Sequence, residues 1–196
     1  MDMLFATNNA HKVREIQSLL PDDLRILTLV EAGLQEEIPE PFETLERNAQ
    51  AKIQYALQRT GIQAGFSEDS GLFVTALEGR PGVHSAHYAG NHRNDADNIE
   101  RVLQEMVGAT DRKAYFQTII CLVWAGQEKF FSGVCEGTLL TAPQGNGGFG
   151  YDPIFQPDGA DKTFAELSLT DKNRFSHRKK AVQQLIDFLR QGQKSS

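Results

Sequence analysis

The sequence predicts an α/β fold, because strand-like and helix-like hydrophobic patterns alternate along the chain. Apolar residues at 3–6 and 24–29 indicate two strands. Between them, helical spacing is kept by Val13, Ile16, Leu19 and Leu20. Strand, polar turn, helix and strand in this order are typical of the start of an α/β protein. No repeat or linker interrupts the chain, so we expect residues 1–196 to form a single domain.

Later segments extend the same pattern. A helix is expected from Leu45 to Leu57, ended by Gly61, and another over 99–106, capped by Asn94 or Asp95. The β-rich runs 115–125 and 130–140, separated by Gly126-Gln127, predict a hairpin. A last helix is expected over 176–190, with its inward face formed by Ala181, Leu185, Phe188 and Leu189.

The segments between these elements carry most of the unusual residues. The acidic, proline-containing stretch 35–43 is predicted to be a loop, as are 79–94 and the glycine-rich 143–157. Phe66 begins a predicted strand that ends in the polar sequence 67–71, and 72–77 is expected to be a further extended segment. These segments are therefore where we look for functional residues.

Charge and composition restrict the function. The formal net charge is −6 and the pI is about 5.4, and no long basic stripe is present. A nucleic-acid partner is therefore not expected. An anionic substrate would need a local basic cluster or a bridging cation, because the overall field of the protein repels it.

Cysteine usage and hydropathy suggest a cytoplasmic protein. Cys121 and Cys135 have neither CxxC nor zinc-site spacing, which favours buried free thiols in a reducing compartment. The N-terminus lacks the pattern of a signal peptide. No apolar run approaches the roughly 20 residues of a membrane span, so no membrane partner is expected.

Two candidate sites for anion or metal chemistry lie in the first half of the chain. At 7–12, a polar turn leads from strand to helix, where backbone N–H groups attract phosphate and Lys12 adds a charge. A simple capped turn with an exposed lysine explains the same residues. Glu68 and Asp69 place adjacent carboxylates at a predicted strand end, which suits a divalent cation or a reacting water. A solvated acidic turn is the alternative.

Two further candidates lie in the second half. The segment 145–153 combines four glycines, which allow close backbone approach, with Phe149 and Tyr151, which can stack on a planar base. Lys172, His177 and Arg178 stand just before and within the last helix, where they can hold phosphate or read a base edge. A flexible loop and a solvated charged turn are the respective alternatives.

Six segments together are similar to one known family. Segment 7–12 is similar to T-G-N-x-x-K, 46–52 to E-N-A-x-x-K, 67–72 to A-D-D-S-G-L and 81–90 to P-G-x-x-S-A-R-Y-A-G. Segments 147–153 (G-G-F-G-Y-D-P) and 176–178 (S-H-R) match without change. Nearly the whole chain thus resembles, in order, the inosine triphosphate pyrophosphatase family, the Ham/Rdg-type nucleotide hydrolases.

The resemblance implies an α/β fold with an elongated, bent mixed β-sheet flanked by helices, and two lobes with the active-site cleft between them. It also implies a homodimer and Mg²⁺ as cofactor. Asp69 would be the general base or water-orienting carboxylate and would share the metal with Glu40. The substrate-binding residues that it implies are Thr7, Asn8, Asn9, Ala10, His11, Lys12, Lys52, Ser70, Phe149, Gly150, Tyr151, Asp152, Lys172, His177 and Arg178.

Within that set, Lys12, Lys52 and the backbone of 7–12 would hold the triphosphate, with Ser70 close by. Phe149 would stack on the base, and its polar edge would be surrounded by Asp152, Lys172, His177 and Arg178.

The sequence departs from the family pattern at several of these positions. Asn8 replaces a glycine, so the turn needs a backbone φ that asparagine tolerates. Glu68 replaces an aspartate, which moves one carboxylate by a methylene. Pro39-Glu40-Pro41 stands where the family has E-T-G, so the alternatives to Glu40 as metal ligand are Glu36, Glu37 and Glu43.

The activity implied is hydrolysis of the purine nucleoside triphosphates ITP, dITP and XTP to the monophosphate and pyrophosphate. A 6-oxo base accepts hydrogen bonds from donors that adenine would leave unpaired, at about 1–3 kcal/mol for each buried group. Three other readings remain: a nucleotide-binding sensor without turnover, a related pyrophosphatase for other modified nucleotides, and a protein-interaction domain, against which the loop 145–152 argues.

Overall fold

The computed structural model describes residues 2–36 and 38–194, with side chains up to Gly192. The helices are α1 (Ala10–Gln17), α2 (Leu45–Thr60), α3 (Asp95–Glu105), α4 (Leu169–Lys172) and α5 (His177–Lys194). The strands are β1 (Asp2–Phe5), β2 (Arg25–Thr28), β3 (Gly65–Val74), β4 (Pro81–Gly82), β5 (Lys113–Trp124), β6 (Gln127–Leu139) and β7 (Phe155–Pro157). Within the described residues, no helix is long and apolar enough to cross a membrane.

The strands that the structure describes form one mixed sheet. Its order is β2-β1-β3-β5-β6-β7, and β4 pairs with β3. β1 runs parallel to β2 and to the start of β3, whereas β4 on β3 and β7 on β6 are antiparallel. A mixed sheet flanked by helices confirms the predicted fold class. The elongation, the bend and the cleft between lobes stay predictions.

The chain divides into two compact units, and each draws on separated stretches of sequence. Unit 1 comprises Met1–Asp69, Thr118–Gly133 and Arg178–Ser196, and unit 2 comprises Ser70–Gln117 and Val134–His177. The core of unit 1 packs α5 against the N-terminal strands, with Phe5 stacked on Phe66 at 4.7 Å between ring centroids. The expectation of a single domain stays a prediction.

The core of unit 2 lies between α3 and the aromatic residues of β5 and β7. Phe116 contacts Phe155 edge-on at 4.7 Å between ring centroids. Val102 of α3 is fully buried in the same cluster. This core fixes the segments that flank the loop 143–154.

Most predicted elements are present, and their caps agree with the sequence signals. Gly61 ends α2 in the left-handed conformation, and the Asn94 side chain accepts from the Asp97 amide to cap α3. Ala125 and Gly126, both with positive φ, connect β5 to β6 in a two-residue turn, one position before the predicted Gly126-Gln127. Cys121 and Cys135 are both buried, and neither is part of a disulfide, as predicted.

The prediction that a strand ends at 67–71 is wrong, because β3 continues unbroken to Val74. The reason is Gly71, which lies against β4: a Cβ there would stand 2.3 Å from the carbonyl oxygen of Gly82. The absence of a side chain lets Leu72 pair with Gly82 and the strand continue. Residues 75–77, predicted as extended, form a 3₁₀ turn instead.

Candidate active site

The N-terminal turn is built by its own polar side chains. The Asn9 side chain accepts hydrogen bonds from the amides of His11 (2.9 Å) and Lys12 (3.2 Å), and so caps α1. Thr7 Oγ1 accepts from the Asn9 amide at 3.2 Å. Among the described non-glycine residues, positive φ occurs at Glu78, Arg93 and Ala125. Asn8 therefore fits the turn without the special backbone conformation that the sequence led us to expect.

Glu40, Lys52 and Asp69 meet in unit 1. Lys52 Nζ lies 2.7 Å from Asp69 Oδ1 and 2.8 Å from Glu40 Oε1, and both Lys52 and Asp69 are buried. Lys52 is on the buried face of α2, and the Ser67 hydroxyl donates to the Ala49 carbonyl, which joins β3 to that helix. One ammonium group therefore pairs with two carboxylates, one from a strand and one from a loop, and leaves one negative charge uncompensated.

Asn48 of α2 positions the loop that carries Glu40. Its side-chain oxygen accepts from the Phe42 amide and its side-chain nitrogen donates to the Phe42 carbonyl, both at 2.9 Å. Arg47 lies over the Phe42 ring at 4.2 Å. The same helix that supplies Lys52 thus fixes the segment just beyond Glu40.

Burial and neighbouring charges shift the pKa values of this group. Burial raises the pKa of Asp69, and the Glu40 carboxylate raises it further, although Lys52 and Lys12 act in the opposite direction. Burial alone would lower the pKa of Lys52, but Asp69 and Glu40 together raise it above its ordinary value. Lys52 therefore stays charged, and Asp69 is a stronger base than an exposed aspartate.

Glu68, next to Asp69 in β3, belongs to a second buried ion-pair group. Arg178 Nε lies 3.0 and 2.8 Å from its two carboxylate oxygens, and Arg178 Nη1 also donates to Glu15. Lys12 Nζ lies 3.2 Å from Glu68 Oε1. Although burial opposes it, the charges of Arg178 and Lys12 lower the pKa of Glu68 to about 2. A positive charge near the start of α5 interacts unfavourably with the helix dipole, and the two carboxylates that pair with Arg178 offset this cost.

These two groups form what we call the acid–base cluster. Its members all belong to unit 1 and are Lys12, Glu15, Glu40, Lys52, Glu68, Asp69 and Arg178. Three cations face four carboxylates, so the cluster carries an excess negative charge when all groups are ionised. Such a cluster can attract a divalent cation and offers ammonium groups to phosphate oxygens.

The residues present fit a Mg²⁺ ion that is completed by its substrate. Over 2–36 and 38–194, no three His, Cys, Asp or Glu side chains are grouped so as to hold a metal. Asp69 and Glu40, however, converge on one cation, Nζ of Lys52. Mg²⁺ is commonly held by one or two carboxylates together with substrate phosphates and water. Carboxylate, phosphate and water oxygens are the ligands that Mg²⁺ prefers.

The second group of predicted site residues lies in unit 2, around residues 147–153, which we call the aromatic loop. Asp152 Oδ2 accepts from the Phe149 amide at 3.0 Å and pairs with Lys172 Nζ. Gly148 has φ +70°, and a Cβ there would lie 2.0 Å from Asp152 Oδ2. Glycine is therefore required at 148 for the turn that presents Phe149.

Lys172 and His177 complete this side. Lys172 is buried at the end of α4, with Nζ 5.3 Å from the Phe149 ring centroid and 5.1 Å from that of Phe164. His177 is buried and stacks on Phe116 at 4.8 Å between ring centroids. An aromatic face next to a buried ion pair suits a planar group with a polar edge.

The predicted site residues therefore fall into two sets. Unit 1 contains the residues of 7–12, together with Glu40, Lys52, Asp69 and Arg178. Unit 2 contains the residues of 149–152, together with Ser70, Lys172 and His177. Arg178 pairs with Glu68 and Glu15, and its predicted contact with a base stays a prediction. Of the alternatives to Glu40, Glu36 pairs with Arg59 at 2.9 Å, Glu43 is exposed, and Glu37 lies outside the described residues.

Glu15 is the member of the cluster that sequence reasoning missed. It is buried beside Ile16 on α1, on the face that also carries Lys12. An acidic residue within the apolar stripe of a short helix was the available signal. Its partner Arg178 is remote in the sequence, so no local pattern could connect the two.

The fold and these clusters define an α/β protein with a buried acid–base cluster on one unit and an aromatic, ion-paired loop on the other. The model of the Ham1 family matches residues 3–188. The chain belongs to the Ham1 family.

Curated relatives and solved structures agree with this membership. A dITP/XTP pyrophosphatase of Flavobacterium psychrophilum is 47% identical over 97% of this chain and 100% of its own length. The protein of the same name from Porphyromonas gingivalis is 44% identical over 95% of this chain and 96% of its own. A HAM1 protein from Coxiella burnetii superposes with a TM-score of 0.88 at 35% identity, covering 97% of this chain and 99% of that one.

Proposed function

We propose that this protein hydrolyses dITP, XTP and ITP to the monophosphate and pyrophosphate, which removes non-standard purines from the nucleotide pool. The observation that carries the proposal is the buried arrangement of Lys52 with Asp69 and Glu40, 2.7 and 2.8 Å from its ammonium group. Carboxylates and lysines in one place are what a triphosphate, its metal and a reacting water require. The names of the curated relatives support dITP and XTP among these substrates.

Mg²⁺ is the proposed cofactor, with Asp69 and Glu40 as its protein ligands. When bound, it neutralises phosphate charge and lowers the pKa of a coordinated water. The excess negative charge of the acid–base cluster supports a requirement for such a cation before a triphosphate can bind. The carboxylates of Glu40 and Asp69 now share the ammonium group of Lys52. A cation bound to these carboxylates would replace Lys52 as their partner, and Lys52 could then donate to phosphate oxygens.

The proposed reaction is an in-line displacement at the α-phosphorus. The water oxygen forms a bond to this phosphorus while the bond to the bridging oxygen of pyrophosphate breaks. Asp69 accepts the proton of the water, a role that its buried carboxylate beside Lys52 supports. Lys12 and Lys52 stabilise the charge on the departing pyrophosphate, with Thr7, Asn8, Asn9, Ala10 and His11 lining the phosphate side and Ser70 nearby.

Base selection is assigned to unit 2. Phe149 stacks on the purine, flanked by Gly150 and Tyr151, while Asp152, Lys172 and His177 face its polar edge. The buried Lys172 ammonium 5.3 Å from the Phe149 ring centroid supports this, since it is a donor for a 6-oxo group. Adenine would offer it no acceptor there, which costs about 1–3 kcal/mol per unpaired buried group. Arg178 pairs with Glu68, which in turn pairs with Lys12. These ion pairs support a second role for Arg178, in positioning Glu68 and Lys12, in addition to the base contact that the sequence predicts.

The family resemblance supports a dimeric state, and the two buried thiols support a reducing compartment. We propose a homodimer in the cytoplasm. Sedimentation velocity of the purified protein at micromolar concentration tests the dimer, and a single monomeric species would contradict it.

The decisive experiment measures pyrophosphate release from equal concentrations of ITP, dITP, XTP and dATP, with Mg²⁺ and with EDTA. We expect release from the three 6-oxo substrates, none in EDTA, and little from dATP. Asp69→Asn should lower kcat by about 10²–10⁴-fold, the usual contribution of a general base. Asp111→Asn, at an exposed aspartate, is the matched control. Nucleotide binding without pyrophosphate release would indicate a sensor instead.

A further inference from the structure

A carboxylate at the start of α3 holds the aromatic loop. Asp95 Oδ2 accepts a hydrogen bond from the Gly150 amide at 2.6 Å, across 55 positions in the sequence. Gly150 directly follows Phe149. We infer that Asp95 is a positioning residue, which fixes the Phe149 ring in the orientation that receives the purine base; this rests on the proposed function.

Two carboxylates clamp the backbone on either side of the Phe149 α-carbon. Asp152 accepts from the Phe149 amide and Asp95 from the next amide along the chain. The residues beside Phe149 are Gly148 and Gly150, with φ of +70° and +59°. Glycine has the widest backbone freedom of any residue, so this turn depends on outside contacts to keep one conformation. Without Asp95, only the Asp152 side of the clamp remains.

Helix α3 is a rigid support for such a contact. The Asn98 side chain donates to the Ala86 carbonyl and accepts from the Ala89 amide, at 3.1 and 2.7 Å. Ile99 and Val102, four and seven positions after Asp95, are buried in the core of unit 2 and anchor this helix there. Asp95 itself is exposed, so its replacement leaves that core intact.

The same helix provides a matched control. Asp97 is a second exposed aspartate in the first turn of α3, and its carboxylate pairs with His92 at 2.7 Å. Both aspartates interact favourably with the N-terminus of the helix dipole. If Asp95→Ala acts only through the stability of α3, Asp97→Ala should have the same effect. If Asp95→Ala acts through the aromatic loop, Asp97→Ala should have no such effect.

Phe149 is expected to contact the base in the bound substrate and in the transition state alike. A loss of such uniform binding raises KM and leaves kcat nearly unchanged. For Asp95→Ala we expect KM for dITP to rise about tenfold, equivalent to about 1.4 kcal/mol, with kcat within about twofold of the wild type. Asp95→Asn keeps a side-chain acceptor and should restore most of the affinity.

The test uses the full-length protein and two measurements. The first is steady-state pyrophosphate release from dITP by the wild type, Asp95→Ala, Asp95→Asn and Asp97→Ala. The second is amide hydrogen–deuterium exchange of peptides covering 147–153 without nucleotide. The inference predicts faster exchange in this segment and a raised KM for Asp95→Ala, and neither change for Asp97→Ala.

Several outcomes would overturn the inference. They are unchanged exchange at 147–153, an unchanged KM despite faster exchange, or equal effects of Asp97→Ala. If the wild type hydrolyses dITP in these cases, the proposed function is still supported. A wild type that binds but does not hydrolyse dITP would instead reject the proposed function, and the exchange measurement would then reject or retain the clamp on its own.

Discussion

The acid–base cluster of unit 1 and the aromatic loop of unit 2 are assembled in different ways. The cluster takes its charges from α1, the loop before α2, α2 itself, β3 and α5, and its Glu15–Arg178 pair spans 163 positions. The aromatic loop is organised mainly by contacts within a short stretch, from Gly148 to Lys172. Its distant contacts are the hydrogen bond from the Gly150 amide to Asp95 and that from the Tyr151 hydroxyl to the Ser85 carbonyl.

This difference has consequences for what each region can tolerate. Buried charges are costly to leave unpaired, and Lys52 and Arg178 each compensate two carboxylates of the cluster. A single substitution there affects several other groups. The aromatic loop is held by hydrogen bonds from its backbone amides to Asp152 and Asp95, so a change of the Phe149 side chain leaves its support in place. We therefore expect stability and kcat to respond in unit 1, and KM in unit 2.

The largest effect is expected for Glu68→Gln. The substitution leaves Arg178, which is 1% exposed, with only part of its compensating charge. Breaking a buried ion pair in this way costs about 3–5 kcal/mol. Urea denaturation at pH 7 should show that loss in the free energy of unfolding. Glu31→Gln, which removes an exposed ion pair with Arg25 at 3.9 Å in the same unit, should leave stability nearly unchanged. Equal stability of the two variants would contradict the comparison.

Lys52→Met should come next and should act on the chemical step. Without the ammonium group, the carboxylates of Glu40 and Asp69 repel each other, and one donor to the departing pyrophosphate is lost. Removal of one such preorganised donor typically lowers kcat by about 10²–10³-fold. The kcat for dITP under saturating Mg²⁺ is the measurement. Lys129→Met, at an exposed lysine of β6, should keep the wild-type rate. A change confined to KM would place Lys52 outside the chemistry.

The same contrast explains which features the sequence could predict. Local signals were sufficient for Gly61 as the end of α2, Asn94 as the cap of α3, and the two-residue turn between β5 and β6. The aromatic loop was also recognisable, because its glycines and aromatic residues are contiguous. At the two helix ends and the turn, the structure depends on neighbours within a few positions, and the composition of the aromatic loop is itself a local signal.

Long-range compensation could not be predicted from one sequence. Ser67 to Gly71 resembled a polar strand end, because acidic residues and glycine are rare inside strands. The strand continues because Arg178 pairs with Glu68 from 110 positions away and Gly82 packs against Gly71. Asp95 was considered only as a helix cap, since nothing near it in the sequence indicates Gly150 as its partner.

The smallest effect is expected for Phe149→Leu, which tests the unit 2 side of the comparison. Leucine keeps an apolar side chain in the loop but removes the aromatic face, while Asp152 and Asp95 still hold the backbone amides of 149 and 150. Base–aromatic stacking is worth about 1–3 kcal/mol when it is lost altogether. A partial replacement should therefore raise KM for dITP by about 5- to 30-fold, with kcat and the free energy of unfolding nearly constant.

Phe130→Leu is the matched control, because Phe130 is 45% exposed on β6 and belongs to neither site. Phe149→Tyr keeps the aromatic face and should retain a KM close to that of the wild type. If Phe149→Leu lowered kcat as strongly as Lys52→Met while leaving KM unchanged, the aromatic loop would act in the chemical step. The division of labour between the two units would then be wrong, since binding of the base and reaction at the phosphate would depend on the same residues.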